Sequence, residues 1–163
     1  MIWLVTKCAK LLRETMTKNN FSTQRREDAK IFFISFLCIF ASLHLFLKEM
    51  NKINYNHRTF KSVSNSATGE VSGETVFHYH QKDALVWAEY EGGAIVFGQI
   101  VGKVLDDNSL EFCYQHLNEF GELMTGKCTS VPEVLADGKI RLHEKWEWTC
   151  KDFSKGISTL EEI

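Results

Sequence analysis

The chain has 163 residues, enough for one domain of ordinary size and an appendage. With 44% hydrophobic and 25% charged side chains its composition is globular, which excludes a disordered or collagen-like chain. The charge is uneven: residues 1–30 carry seven Lys/Arg against three acids, whereas from Met50 onward eleven bases face seventeen acids, a net of −6. That acidic half repels a phosphate backbone, so nucleic acid is not among its expected partners.

Residues 1–30 form a basic N-terminal segment. Ile2, Trp3, Leu4, Val5, Leu11 and Leu12 lie among scattered cations, the pattern of an amphipathic cytoplasmic helix or of an unordered arm. Asn19 to Arg26 is polar and reads as a linker. Seventeen residues, 31–47, then run apolar except for Ser35, Ser42 and His44. This is the lower limit for a transmembrane helix, which takes about 17–25 residues. Seven cations precede the run and four follow closely (Lys48, Lys52, Arg58, Lys61). The positive-inside bias then sets the N-terminus in the cytoplasm and the following domain outside, on a single-pass membrane anchor. A cleaved signal peptide fits less well, because its n-region would be long and no A-x-A-like site follows. In a second reading translation starts at Met50 and the domain is cytoplasmic.

After Leu47 the pattern changes to short alternating runs. Asn65–Gly73 is a polar loop, and Gly92-Gly93, Asp106-Asp107-Asn108, Asn118–Gly121 and Asp137-Gly138 are turn signals. Between them, runs rich in β-branched and aromatic residues predict strands near 59–63, 74–81, 84–90, 94–104, 109–116, 122–130, 139–149 and 157–161. Hairpin-length connections make this an all-β, eight-stranded antiparallel up-and-down barrel, lipocalin-like, over residues 50–163, preceded by the N-terminal helical or transmembrane segment. Pro132 falls after the sixth strand, where a missing N–H is tolerated.

Two strands alternate clearly enough to assign faces. Leu110, Phe112, Tyr114 and His116 share one face of the fifth. Ile140, Leu142, Glu144, Trp146 and Trp148 share one face of the seventh. One wall of the interior is therefore aromatic and holds one carboxylate. A carboxylate buried alone costs several kcal/mol, so Glu144 is expected to be protonated, paired or wet. It is either a core group bonded to a neighbouring Tyr or His, or the polar anchor of a ligand in an aromatic cavity. The expected ligand-binding residues are Tyr79, Tyr114, His116, Glu144, Trp146 and Trp148, with Trp87 a further candidate for a stacking platform, around a small molecule of unknown identity.

His78 and His80 stand two apart and can supply two metal ligands, but the other face of that strand (Thr75, Phe77, Tyr79) is more aromatic and is expected inside. No metal and no cofactor are expected. Of the five cysteines (8, 38, 113, 128 and 150), none has metal-type spacing; Cys113 and Cys128 flank the Asn118–Gly121 turn and could be cross-strand partners. Phosphate-loop, dinucleotide, nucleophile-elbow and zinc-protease motifs are all missing, so no catalytic residue is named. A protein-interaction module, which would expose an aromatic patch, is a further class to test.

INYNHRTF at Ile53–Phe60, SGETVFHYHQ at Ser72–Gln81, GELMTG at Gly121–Gly126 and RLHEKWEWT at Arg141–Thr149 resemble a family of small bacterial proteins labelled N-acetylglutamate synthase. The resemblance covers the chain from Lys52 onward. It implies acetyl transfer from acetyl-CoA to glutamate, an N-acetyltransferase activity. The nearest approach to that chemistry's [QR]-x-x-G-x-[GA] pyrophosphate loop is Gln99-Ile100-Val101-Gly102-Lys103-Val104.

Overall fold

The structure, a computed structural model, describes residues 24–50 and 52–163, and the side chains of 24–29 and 44–50 lie outside that description. The chain divides into two units, with the boundary after Lys52. In the first, the described residues form one α-helix, Gln24–Met50. The helix therefore takes in the end of the expected linker, and the amphipathic reading of residues 1–16 lies outside the described residues. Among the described residues no helix is long and apolar enough to cross a membrane. The membrane crossing expected from residues 31–47 thus gains no support. Its run of seventeen sits at the bottom of the spanning range of about 17–25 residues and is broken by Ser35 and Ser42.

The second unit, Ile53–Ile163, is a closed eight-stranded barrel in which every strand pairs antiparallel with its sequence neighbours and the last pairs with the first. The strands are β1 (Arg58–Asn65), β2 (Val76–Lys82), β3 (Leu85–Gly92), β4 (Ile95–Val104), β5 (Leu110–Asn118), β6 (Leu123–Val134), β7 (Ile140–Trp148) and β8 (Lys155–Glu162). All eight expected strands are present. Each turn signal works through a residue with positive φ: Gly92 and Gly93, Asn108, Gly121 and Gly138. Closure leaves no free edge to template aggregation. The β1–β8 seam is fastened by Arg58, whose Nη1 lies 2.7 Å from Glu162 Oε1.

Pro132 lies inside β6, opposite Leu142, and not after it. Pairing with β5 stops at Ser130, so the last residues of β6 pair with β7 alone, and there a residue without an N–H fits.

Alternation holds along β5 and β7. Leu110, Phe112 and His116 are buried and Glu111, Cys113 and Gln115 exposed; Ile140, Leu142, Glu144, Trp146 and Trp148 are all buried. Aromatic rings get their room from glycines directly across the ladder. Tyr90 faces Gly98, Tyr114 faces Gly126 and Trp146 faces Gly156, and in each pair a Cβ on the glycine would run into the ring.

One end of the barrel is solid. Val86, Leu110, Ile140, Leu142 and Leu160 meet there with Phe60, and Tyr55, from the segment before β1, is fully buried with them. The Tyr55 hydroxyl donates to Asn108 O at 2.6 Å, and its backbone N–H donates to Gln81 Oε1 at 2.8 Å. The segment is thereby tied to the β4–β5 turn and to β2.

Candidate functional site: the barrel mouth

The other end carries the β1–β2, β3–β4, β5–β6 and β7–β8 connections and is built differently. Inside it a cavity of about 40 Å³ is lined by Phe77, Tyr90, Tyr114, Trp146 and Trp148 together with His116, Glu144 and Ser158. A single water needs roughly 10–15 Å³ of such space, so the cavity exceeds water size. It is far smaller than the ~300–1,000 Å³ of a pocket that encloses a drug-sized ligand.

Five of the six expected ligand-binding residues, Tyr114, His116, Glu144, Trp146 and Trp148, meet at this cavity. The sixth, Tyr79, is fully buried but belongs to the floor beneath it, with its ring edge-on to Phe60 at 5.1 Å. Trp87 is not in the interior: it lies half-buried on the outer wall, stacked on His80 at 5.4 Å. It has the parity opposite to the buried Val86, Ala88 and Tyr90 of β3, so period 2 turns it outward. His78 is exposed as expected, with Nδ1 3.3 Å from Thr59 Oγ1.

Cys113 and Cys128 are free thiols. Cys128 pairs with Phe112, one residue away from Cys113, so Cys113 is exposed and Cys128 buried on opposite faces. A one-residue slip exchanges inside for outside, which rules out the cross-strand pairing that the spacing left open.

Glu144 is buried and accepts one hydrogen bond, from Ser158 Oγ at 2.7 Å on the facing strand β8. Burial pushes its carboxyl up to about 7 and outweighs the Ser158 bond, which pulls the other way. Burial also pushes the Tyr90 and Tyr114 phenols and the Cys128 thiol upward, so all three stay protonated at neutral pH. Two buried hydroxyls nearby, Tyr79 OH and Ser130 Oγ, have no hydrogen-bond partner among the described residues.

The β1–β2 loop crosses this end, and it and the last residue of β1, Asn65, are held by three sets of bonds. Trp148 Nε1 donates to Thr68 O and Trp146 Nε1 to Asn65 Oδ1, each at 3.1 Å. Glu70 Oε2 lies 2.8 Å from His116 Nε2, and His116 Nδ1 lies 2.9 Å from the Tyr90 hydroxyl. One neutral tautomer satisfies both contacts, with Nε2–H donating to Glu70 and Nδ1 accepting from Tyr90. Asn118 Nδ2 donates to Glu70 and, at 3.1 Å, to Glu122, tying the loop to the β5–β6 turn.

Glu70, Ser158, Tyr90 and Asn118 were not anticipated. Tyr90 was legible, because Val86, Ala88 and Tyr90 share the inner parity of β3. Glu70 had one signal, being the single charged residue in the Asn65–Gly73 loop. Ser158 had none, since its importance comes only from lying across from Glu144.

The family model described as Avidin-like protein matches residues 53–163, the whole barrel. The chain belongs to the avidin-like family. Comparison with curated proteins and with solved structures gave no match. Membership makes the barrel unit an avidin-like eight-stranded β-barrel, a small-ligand-binding class, and corrects the N-acetylglutamate synthase resemblance, which nothing else supports. The physical reason is visible in β4. Gln99–Val104 lies within an antiparallel strand, and the chain then turns into β5 without a helix. A pyrophosphate loop needs the free N–H groups of a helix N-terminus, and here the backbone groups belong to the ladder. Gly102, the loop's would-be glycine, faces Phe112 across that ladder.

The aromatic residues of the mouth are enclosed. The exposed apolar side chains of the barrel include Phe97, Leu117 and Leu123, which neighbour one another across β4, β5 and β6 on the outer wall, and Phe120 in the β5–β6 turn.

Proposed function

We propose that this avidin-like barrel binds a small, partly apolar molecule at its mouth, with Glu144 and Tyr114 as polar anchors and Trp146, Trp148 and His116 around the ligand body. The observation that carries this reading is the cavity itself: a void above water size, walled by aromatic rings and a buried carboxylate, at the one end of the barrel that side chains do not fill. Aromatic walls with few placed polar groups are the usual build of a small-molecule site. In the present arrangement the space takes a head group of a few atoms. A larger ligand body would occupy the region of Gly69, Glu70 and Val71, which line the cavity from the β1–β2 loop. That loop accordingly acts as a lid, and its indole and carboxylate bonds are exchanged for bonds to the ligand.

Native mass spectrometry of the full-length chain isolated from its own cell tests the proposal. The expected result is a second species heavier than the chain by one small molecule, lost on denaturation. A bare chain from the cell, together with no thermal stabilisation by biotin or by a small-molecule extract of that cell, would remove the reading.

A further inference from the structure

We propose that the ligand group seated beside Glu144 is a basic nitrogen, so that the barrel takes a small organic cation: an amine, amidine or guanidine carried on an apolar or aromatic body. The inference rests on the reading of the mouth cavity as a ligand site and adds the charge of its occupant.

Glu144 lines the cavity and has a single hydrogen bond among the described residues, the one from Ser158. An ionised carboxylate offers about four acceptor positions, so most of its capacity is unused. No lysine or arginine is among the buried residues of the barrel. The one imidazole at the cavity, His116, is engaged on one nitrogen by Glu70 and on the other by Tyr90. A buried carboxylate without a counter-charge is costly, and a cation positioned beside it removes that penalty.

The groups around it favour the same chemistry. Ser130 faces Glu144 directly across the β6–β7 ladder, and its hydroxyl is buried without a partner. The Tyr79 hydroxyl, also unpartnered, lies within the electrostatic reach of Glu144 on the floor. Neither hydroxyl is on the cavity wall, and neither brings a positive charge to Glu144. Tyr90, Tyr114, Trp146 and Trp148 surround the space with ring faces and edges, and a desolvated cation is attracted to aromatic faces. An anion would instead meet two carboxylates, Glu144 inside and Glu70 at the lid. A neutral amide would fill acceptors but leave the charge of Glu144 uncompensated.

The test follows the indole N–H signals of Trp146 and Trp148 in nitrogen-15 spectra of the full-length chain, assigned with W146F and W148F. The probes are matched sets of one shape and three charges: benzamidine, benzamide and benzoate, and phenylguanidine, phenylurea and phenylacetate. At pH 8 the cations are expected to shift these signals with at least about tenfold higher affinity than their neutral and anionic counterparts. Glu144→Gln is expected to erase that preference, so that the three charges of each set bind with affinities within about threefold of one another. A second arm needs no variant at Glu144. Benzamidine binding should fall by about tenfold between pH 8 and pH 5, as the Glu144 carboxyl, pushed up to about 7, takes up its proton. The other titratable groups facing it are Tyr79, Tyr90, Tyr114, Cys128, His116 and Glu70, and Glu70→Gln should retain the drop. Neutral or anionic probes binding as tightly as the cations would overturn the assignment, as would a cation preference that survives Glu144→Gln or a pH 5 affinity equal to that at pH 8. If no probe of any charge moves either indole, the ligand-site reading fails and the cation assignment falls with it.

Discussion

The two ends of the barrel are cut from the same alternating strands and are packed to opposite purposes. At the closed end Leu110, Ile140, Leu142 and Leu160 are aliphatic, almost wholly buried, and sealed by Tyr55. At the mouth the same inward parity of β5 and β7 delivers Tyr114, His116, Glu144, Trp146 and Trp148, and a cavity of about 40 Å³ remains among them. Aliphatic side chains of similar size interdigitate to crystal-like density. Flat rings, a carboxylate and a loop carboxylate cannot fill space that way, because each polar group must also find a partner. The closed end therefore supplies stability and the mouth gives some of it up, which is the pattern expected where a fold hosts a site.

Substitutions at the two ends should separate these roles. The largest effect is expected at the closed end, where Leu142→Ala should lower the unfolding free energy by about 2–5 kcal/mol, read from urea denaturation, because a fully buried leucine leaves a cavity behind. The indole signals of Trp146 and Trp148 should stay in place in that variant. A large movement of either would mean that the two ends are one packing unit and break the comparison.

At the mouth Glu144→Gln should act through pH. The folded-state carboxyl sits at about 7 against an ordinary value of 4.5, so between those values the folded chain holds a proton that the unfolded chain has released. Stability is then full below about pH 4.5 and declines as pH rises toward and past 7. Glutamine does not titrate. Variant and parent should have nearly equal stability at pH 4.5, and at pH 8 the variant should be more stable, by up to about 3 kcal/mol. Thermal unfolding across pH 4.5–8 checks this, and parallel curves for the two proteins would show that Glu144 is not a buried, lone carboxyl.

The smallest effect sharpens the contrast between inner and outer faces. Cys113→Ser, on an exposed position of β5, should change stability by no more than about 0.5 kcal/mol. In the parent chain Cys113 should react with a thiol reagent while folded and Cys128 only after unfolding, as read by mapping the labelled peptides. Equal labelling of both would contradict their placement on opposite faces of the wall.

Much of this was written locally. Every inner position of β7 from Ile140 to Trp148 could be read from period 2 alone, and with it the presence of a carboxylate among aromatic rings. The turns were equally plain, since Gly92-Gly93 and Asp137-Gly138 supply the positive φ that such corners need. What failed were inferences that needed register or partners. Cys113 and Cys128 missed each other by one residue, and Trp87 took the outer parity of its strand. The resemblance read in SGETVFHYHQ and RLHEKWEWT located a domain, and its label supplied the wrong chemistry. The barrel-wide match to the avidin-like family supplied the right class.

By itself, then, the sequence determined which side chains of each well-patterned strand face inward, because the pleat alternates whatever the neighbours are. Only the tertiary structure decided which end is plugged and which is lidded. Tyr55 reaches Asn108, Glu70 reaches His116, and Ser158 reaches Glu144 across separations of 53, 46 and 14 residues. Contacts over such distances are set by strand register and barrel closure, and those are properties of all eight strands together.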